Sequence, residues 1–573
     1  MSKSRSFFEK LRDKFFSALN VFLYKSAANK WFLIAVALFN SIIIYFLAMH
    51  LPFPISAILS AIVVFGSLVL VFFLGTLKRI GIIPVSDDLI YILVHMRCMV
   101  TGNPALTTVF SKVGETHFYK KKYRNLFRKL SGLIKNWGYS TPEALRLVSR
   151  EVGSKVDKMF LQRLAAIVVT GGDVKEYLRI EYNTLFAEYV SGFNRMIDVL
   201  RVVLGVYTTL LGALTFMMAN LMLLGMIFGG MMSLIATGVT SIGFALFSMS
   251  ILLYVFTRRP FFESKPRKKT RILLIISLTG LMGFVFFTIL LAYLLVSGNI
   301  YSMEYVGLSL TIAGLIFLPS GIMVRIYEGR INEYDMFFPA FIRSYGEQMA
   351  TLPNMVESLK PLLMAELGKL KKLLNNVYAR LLNRVDPRIA WSLFADESGS
   401  EMVTRGTHIF VDTVELGGDL ATTGAILSDH TNELFRLRVA YTQVFRTFET
   451  TLYLMHLTAL ILLVFIGSFI NVFSGIVTSF AQSIPSEYAK ILGFLIVSPI
   501  DVSLVTSVTS VVMVAANTIA LYAVAPGSRY GIFYYISIIL IVTGMAVYVS
   551  SHILTGLIGS LLQPIVYPIS SPP

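Results

Sequence analysis

The residues of this 573-residue chain that could carry out catalysis or bind a metal ion are few and scattered. Its seven histidines show no His-Glu-x-x-His spacing, the pattern that zinc hydrolases use. No Gly-rich loop ending in Lys-Ser/Thr occurs, so the sequence has no recognisable phosphate-binding site of that type. Cys98 is the only cysteine and can form no internal disulfide. We therefore expect a protein that is not an enzyme and that uses no cofactor or metal.

Chemistry within a membrane is also poorly supported. Asp501 is the only acidic residue near the middle of an apolar stretch, whereas an aspartyl protease needs two carboxylates that share a proton. Ion-coupled carriers usually place ionisable groups at the membrane midplane. Here those positions hold mostly Met, Leu, Val and Phe. A secondary transporter or channel is the alternative function to a protein without catalytic or transport activity, but no motif favours it.

The charged residues are confined to four segments, at 1–30, 78–201, 257–271 and 325–450. Together these segments hold 48 of the 50 Lys and Arg residues and 30 of the 33 Asp and Glu residues. The remaining sequence is nearly uncharged, the chain is 55% hydrophobic, and its mean hydropathy is +0.71. Because a bilayer-crossing helix needs about 20 apolar residues, this pattern predicts a polytopic membrane protein.

Nine transmembrane helices are predicted. With a cytoplasmic N-terminus, nine crossings put all four charged segments on the cytoplasmic side of the cell membrane, as the positive-inside rule requires. The basic, amphipathic segment 1–30 is expected to be retained and to lie at the inner interface. The predicted spans are 31–49, 55–77, 202–228, 231–256, 272–296, 306–324, 452–472, 502–524 and 532–549.

The predicted fold is all-α, with two related helical-bundle cytoplasmic domains at 78–201 and 325–450. A transmembrane hairpin at 31–77 precedes the first domain. Four transmembrane helices with a basic cytoplasmic loop at 257–271 fill residues 202–324. About three more helices follow in residues 451–573. The basic loop is expected to contact lipid headgroups, and its charge is explained by topology rather than by nucleic acid binding.

The two domains share a skeleton that indicates an internal repeat. In the first, Asp88 is followed by Pro104, Pro142 and Gly171-Gly172-Asp173; in the second, Asp335 is followed by Pro353, Pro387 and Gly417-Gly418-Asp419. A glycine can take the left-handed conformation that ends a helix, and an aspartate can cap the next helix. Each Gly-Gly-Asp triplet therefore predicts a helix stop followed by a restart, with one more polar helix before the membrane.

Apolar stripes predict which helix faces are buried. In the first domain the stripe includes Leu126, Leu130 and Trp137, with basic residues on the opposite face. The second domain has a counterpart that runs from Leu363 to Leu381. We expect each domain to be a bundle of about six short helices.

Two short stretches carry a resemblance to a known family. They are Phe338-Pro339-Ala340-Phe341-Ile342-Arg343 and Glu415-Leu416-Gly417-Gly418-Asp419-Leu420. With the repeat and the topology, they resemble the type II secretion F family, the platform proteins of type IV filament machines. With nine predicted spans, the chain resembles the archaeal members of this family. The resemblance is compatible with an archaellum platform and with an adhesive-pilus platform.

The resemblance implies a scaffold without catalytic activity. Its implied partners are a hexameric secretion ATPase, pilin-like or archaellin filament subunits and membrane lipids, and a homodimer is expected. A basic cluster at Lys120, Lys121, Lys122 and Arg124 is the candidate ATPase-docking face, although it could equally be a solvated helix surface. Glu415 and Asp419 are the second candidate for this contact.

Overall fold

The computed structural model describes residues 85–227, 242–243, 245–254, 257, 271–483 and 499–566. These residues form α-helices joined by turns and short 3-10 helices, which confirms the all-α prediction for the described part of the chain. The amphipathic segment 1–30, the spans 31–49 and 55–77, and most of the basic loop 257–271 lie outside the described residues.

The first repeat contains six helices. The first five are short, and serine side chains cap several of their N-termini: Ser86 Oγ accepts from the Leu89 amide at 3.3 Å, and Ser140 forms a capping box with Glu143. The helices are α1 (Asp87–Met99), α2 (Leu106–Glu115), α3 (Lys121–Trp137), α4 (Thr141–Glu151), α5 (Lys155–Val169) and α6 (Val174–Ile227).

The second repeat has the same order of elements. After two apolar helices, α7 (Ala245–Tyr254) and α8 (Arg271–Val296), the repeat begins in the second half of α9 (Met303–Thr351). A 3-10 helix, Pro361–Met364, stands where the first repeat has α2. The remaining helices are α10 (Leu370–Leu382), α11 (Pro387–Ser398), α12 (Glu401–Glu415) and α13 (Leu420–Ser483).

The two Gly-Gly-Asp triplets have the same backbone geometry. Gly171 has φ +68° and Gly417 has φ +69°, both in the left-handed region. The following glycine amides close each helix end, from Gly172 to Ile167 O at 3.0 Å and from Gly418 to Thr413 O at 2.9 Å. Both turns therefore have the conformation that the helix-stop interpretation predicts.

The helices that follow these turns do not stop at the membrane boundary. α6 has 54 residues and α13 has 64, so they extend about 81 Å and about 96 Å. The predicted boundaries at 201, 324 and 450 fall inside α6, α9 and α13, where one continuous helix replaces the expected polar helix and separate span. An uninterrupted helix avoids leaving four unpaired carbonyl groups at each break.

Six described helices are long and apolar enough to cross a membrane. They coincide with six of the nine predicted spans and comprise α6, α8, α9, α13, α14 (Pro499–Val524) and α15 (Ile532–Val566). The predicted span 231–256 is represented within the described residues only by the ten-residue helix α7. Within the described residues, these six candidate spans and one shorter apolar helix support a multi-pass membrane protein.

For one residue of the first apolar stripe, Trp137, the prediction of burial is wrong. Trp137 ends α3 and is 76% exposed, whereas Tyr123, Phe127 and Leu130 form the buried face. Gly138, at φ +69°, ends the helix directly after Trp137. Periodicity placed Trp137 on the apolar stripe but could not show where the helices that cover the stripe end.

Substitution of Gly417 by alanine tests the turn geometry. No neighbouring atom lies within 4 Å of the position of an added Cβ, so the cost is backbone strain alone, about 1 kcal/mol. The thermal unfolding midpoint of the detergent-solubilised chain should fall. Gly132→Ala in α3 is the matched control, because its Cβ position is equally open and its backbone is helical, and this variant should be as stable as wild type or more stable. Equal midpoints for both variants would contradict the strain argument.

Candidate functional site at the interface of the two repeats

Helix α1 lies between the two repeats of the chain. Eleven of its thirteen residues are buried, including Asp88 and His95, so it has no solvent-facing polar side. It contacts α2 and α6 of its own repeat and α12 and α13 of the second repeat. The interface between the repeats is therefore built around one helix whose few polar groups need partners from across the interface.

Arg405 of α12 supplies the central contact. Its side chain is 7% exposed, and its Nη2 atom lies 3.0 Å from Asp88 Oδ1 and also pairs with Glu401. The guanidinium carbon lies 4.5 Å from the centre of the Tyr91 ring, and Nε and Nη1 have no hydrogen-bond partner among the described residues. A buried cation between a carboxylate and an aromatic face favours one docking of the repeats, because displacing it would separate it from the buried Asp88 and from the Tyr91 ring.

A second group of charges crosses the same interface. His95 Nε2 lies 3.1 Å from Asp412 Oδ2, and Lys112 Nζ lies 2.6 Å from Glu415 Oε2, a carboxylate that also pairs with Arg388. Burial alone would raise the pKa of Asp412, but the His95 ring and the Lys112 ammonium hold it below its usual value. These contacts join the second Gly-Gly-Asp turn to the first repeat.

The paired helices α6 and α13 bury a histidine between aromatic rings. His430 Nδ1 lies 3.1 Å from the Tyr182 hydroxyl, and its ring meets Tyr91 edge-on at 4.8 Å and Phe186 at 5.3 Å. Burial, together with the positive charge of Arg405, lowers the pKa of His430 to about 3. The ring is therefore neutral at physiological pH and acts as a packed polar group.

The basic cluster is partly neutralised within its own repeat. Lys122 Nζ lies 2.6 Å from Asp157 Oδ2, and Lys120 Nζ lies 3.8 Å from the buried Asp88. Lys121 is exposed, and Arg124 Nη1 lies 3.5 Å from His117 Nδ1. Only part of the four-residue positive charge is therefore available to a partner.

The other predicted site residues contribute to packing and turns. Glu415 is held by Lys112 and Arg388, and Asp419 caps α13 with a carboxylate that accepts from the Ala421 amide at 3.1 Å. Hydrogen bonds from Thr422 hold the pKa of the Asp419 carboxyl below its usual range. The Asp419 amide donates to Thr101 Oγ1 of the first repeat at 2.9 Å.

In the first triplet, Asp173 has the same capping role. Its Oδ1 accepts from the Lys175 amide at 2.8 Å at the start of α6. Gly171 and Gly172 form the preceding turn, in which the Cβ position of Gly171 is open and that of Gly172 lies 3.3 Å from Ile167 Cγ2.

The Phe-Pro-x-Phe-x-Arg stretch lies inside α9. Phe338 is fully buried and packs against Gly406, at a point where a Cβ would meet its ring. Pro339 is buried in the helix interior, where it has no N–H to donate. Arg343 Nη2 pairs with Asp429 Oδ1 of α13 at 2.8 Å. The motif holds α9 against α12 and α13.

A buried polar network within the apolar helices was not predicted. His456 of α13 hydrogen-bonds Thr543 of α15 and Asn517 of α14, each at 2.8 Å. Tyr207 of α6 donates to Asn517 Oδ1 at 2.8 Å and lies 3.0 Å from Ser250 of α7. All five residues are fully buried, and the network joins five helices, including both long helices that leave the repeats. The sequence signal was weak, because Asn, Tyr, Ser and Thr are common in apolar helices.

A metal centre is not formed in the described part of the chain. No three His, Cys, Asp or Glu side chains there are close enough together to hold a metal ion. Several polar groups of the interface pair across the two repeats, so this arrangement can hold two helical bundles in one orientation.

Comparison with known proteins identifies two relatives. The chain is 26% identical over 339 residues to flagella accessory protein J of Methanocaldococcus jannaschii, a match that covers 57% of this chain and 59% of that protein. It is 24% identical over 342 residues to flagella accessory protein J of Methanococcus voltae, with 57% and 60% covered. The chain is similar to flagella accessory protein J over these stretches. This relationship confirms the predicted resemblance to archaeal platform proteins.

The similarity to flagella accessory protein J is partial. The match spans less than two thirds of the length of either curated relative. No protein-family model matches the chain, and no solved structure matches it.

The low pKa of His430 predicts a pH-dependent stability. Between about pH 3 and pH 6.5 the unfolded chain binds a proton that the folded chain does not, so stability is lost as pH falls below about 6.5, by up to about 1.4 kcal/mol per pH unit. His430→Gln should reduce the difference in unfolding midpoint between pH 7 and pH 5. The exposed His117→Gln variant is the control and should keep the wild-type difference. An unchanged pH dependence in His430→Gln would show that this ring is not buried in its neutral form.

Proposed function

We propose that this protein is the membrane platform of an archaellum assembly machine. In this role it couples a cytoplasmic hexameric secretion ATPase to the assembly of archaellin subunits taken from the membrane. The observation that carries the proposal is the relationship to two proteins named flagella accessory protein J. Their names favour the archaellum over an adhesive pilus as the filament.

The geometry suits a part that transmits force. The two repeats share a buried charged interface, and α6, α9 and α13 each pass from a repeat into an apolar stretch without a break. A displacement applied to the repeats therefore reaches the apolar helices through continuous helical backbone, which in α9 lacks a hydrogen-bond donor at Pro319 and Pro339. The network around His456 links two of these helices, α6 and α13, farther along their length.

We place both repeats on the cytoplasmic side of the cell membrane. This orientation follows from the concentration of Lys and Arg in the segments 1–30, 78–201, 257–271 and 325–450. It also puts the repeats where a soluble ATPase can reach them. The exposed Lys121 and the half-buried Arg124 of the basic cluster would then attract an acidic partner surface and speed its association.

A secondary transporter is the less favoured function. Its midplane would need unpaired polar or ionisable groups that meet a substrate. In the described helices, the five residues of the polar network instead bond one another or backbone carbonyls. The relatives also carry the name of a flagellar accessory protein rather than that of a carrier.

Deletion of the gene tests the proposal. The deletion strain should lack archaella in electron micrographs and should not swim, while its other pili remain, and the wild-type gene should restore filaments. Archaellin should still be synthesised and should stay in the membrane fraction. Normal archaella in the deletion strain, or the loss of a different filament, would contradict the proposed function.

A further inference from the structure

The turn between α3 and α4 exposes two aromatic residues on a rigid support. Trp137 is 76% exposed and Tyr139 is 39% exposed. Gly138 ends α3 in the left-handed conformation, and the Tyr139 amide donates to Leu133 O at 3.1 Å. The capping box at the start of α4 fixes the other side of the turn. We call this turn, with Lys135 and Arg146 of the adjoining helices, the distal corner.

The distal corner lies at the end of the first repeat that is far from the membrane. Lys122 and Asp157 pair at 2.6 Å, so α3 and α5 begin at the same level, and α4 returns between them. Both helices then run in the same direction and end at Trp137 and Val169. Val169 immediately precedes the turn into α6, the helix that leads to the membrane. Trp137 therefore lies near the start of α6, at the end of that helix opposite to its apolar part.

The second repeat has a corresponding exposed corner. Leu382 at the end of α10 is 56% exposed, and Ile389 at the start of α11 is 55% exposed. The pairing of Arg388 with Glu415 places this corner beside the second Gly-Gly-Asp turn. Isolated exposed apolar residues are common on protein surfaces, but here equivalent turns of both repeats expose them at the same end of the molecule.

Lipid does not reach this end. From its start at Val174 to Val202, the first residue of its uncharged stretch, α6 rises about 42 Å, so the start of α6 stands well away from the bilayer that the uncharged stretch crosses. A soluble protein must therefore cover the distal corner, if anything does.

The charge of the first repeat indicates what kind of protein covers the distal corner. The segment 78–201 has 20 Lys and Arg against 11 Asp and Glu, a net charge of +9 (20 minus 11). Near the corner, Lys135 and Arg146 have no ion-pair partner within the described ranges, whereas the exposed Glu143 carboxylate accepts hydrogen bonds from Ser140 in the capping box. A second copy of this corner would repel it, and so would the basic segments 1–30 and 257–271 of the same chain. The complementary occupant is a different protein with an acidic surface.

We infer that the distal corner is the anchoring site for an acidic soluble protein, with Trp137 and Tyr139 inserting into an apolar depression on that partner. Trp, Tyr and Arg side chains are enriched among the few positions that dominate binding energy at interfaces. The inference rests on the proposed function, which makes the secretion ATPase this partner. The basic cluster at Lys121 and Arg124 then acts in steering the approach, while the corner governs how long the complex lasts.

The test measures binding of the purified secretion ATPase of the same organism to the full chain in lipid nanodiscs. The double variant Trp137→Ala with Tyr139→Ala should raise the dissociation constant at least about tenfold, mainly through faster dissociation. Ile180→Ala is the matched control, because Ile180 is 51% exposed on the side of α6, and it should bind within twofold of wild type. The unfolding midpoints of both variants should be unchanged, since the substituted side chains are exposed.

A second arm separates the corner from the basic cluster. Lys121→Glu with Arg124→Glu should slow association, reduce its salt dependence and leave dissociation unchanged. If the double alanine variant binds within twofold of wild type, the corner is not the anchoring site, although the proposed function stands because the ATPase still binds. If the wild-type chain binds no ATPase, the proposed function fails and the inference fails with it.

Discussion

The burial of the Arg405 guanidinium between the two repeats is the interaction on which the rest of the structure depends. The cation belongs to the second repeat, while Asp88 and the Tyr91 ring belong to the first. Glu401 of the same helix compensates part of this charge, and the pair with the buried Asp88 is made in the docked orientation of the repeats, so a rotation would separate two buried charges. Because Tyr91 also packs against His430, the same contact holds α1 between the long helices α6 and α13.

This constraint extends into the membrane because the helices do. α6 and α13 run side by side from the repeat interface, with Phe193 6.4 Å from Tyr441 and Tyr207 5.9 Å from Phe448 between ring centres. Within the apolar region, Asn517 bridges Tyr207 and His456, so the two helices stay linked through a third. The repeats and the described apolar helices are thus held together at both ends, as a scaffold that transmits movement requires.

Local features of this architecture could be predicted from the sequence, and long-range pairings could not. The left-handed conformations of Gly171 and Gly417, the helical class and six spans follow from residue type and hydropathy within short windows. The pairing of Lys112 with Glu415 joins residues 303 positions apart, and no local pattern records it. For the same reason, local patterns in the sequence predict Lys122 to be a free surface charge and Trp137 to be buried. Correct predictions for both residues require knowledge of which helices are neighbours. The continuity of α6 and α13 was missed because a change from polar to apolar residues was interpreted as a boundary, although a helix backbone tolerates both.

The central claim is that unbroken helices transmit movement from the repeats into the membrane. Lowering the helical stability of one of them tests this claim most directly. Asn194, Asp198, Arg201 and Val202 are exposed positions of α6 near the predicted bilayer boundary. Replacing all four by glycine weakens the helix by roughly 1 kcal/mol per position relative to replacing all four by alanine, and both variants lose the same exposed side chains. The measurement is the number of archaella per cell when each variant complements the deletion strain at equal membrane levels. The account predicts that the alanine variant assembles filaments and that the glycine variant, although inserted and still bound to the ATPase, does not. Equal numbers of filaments from the two variants would contradict it.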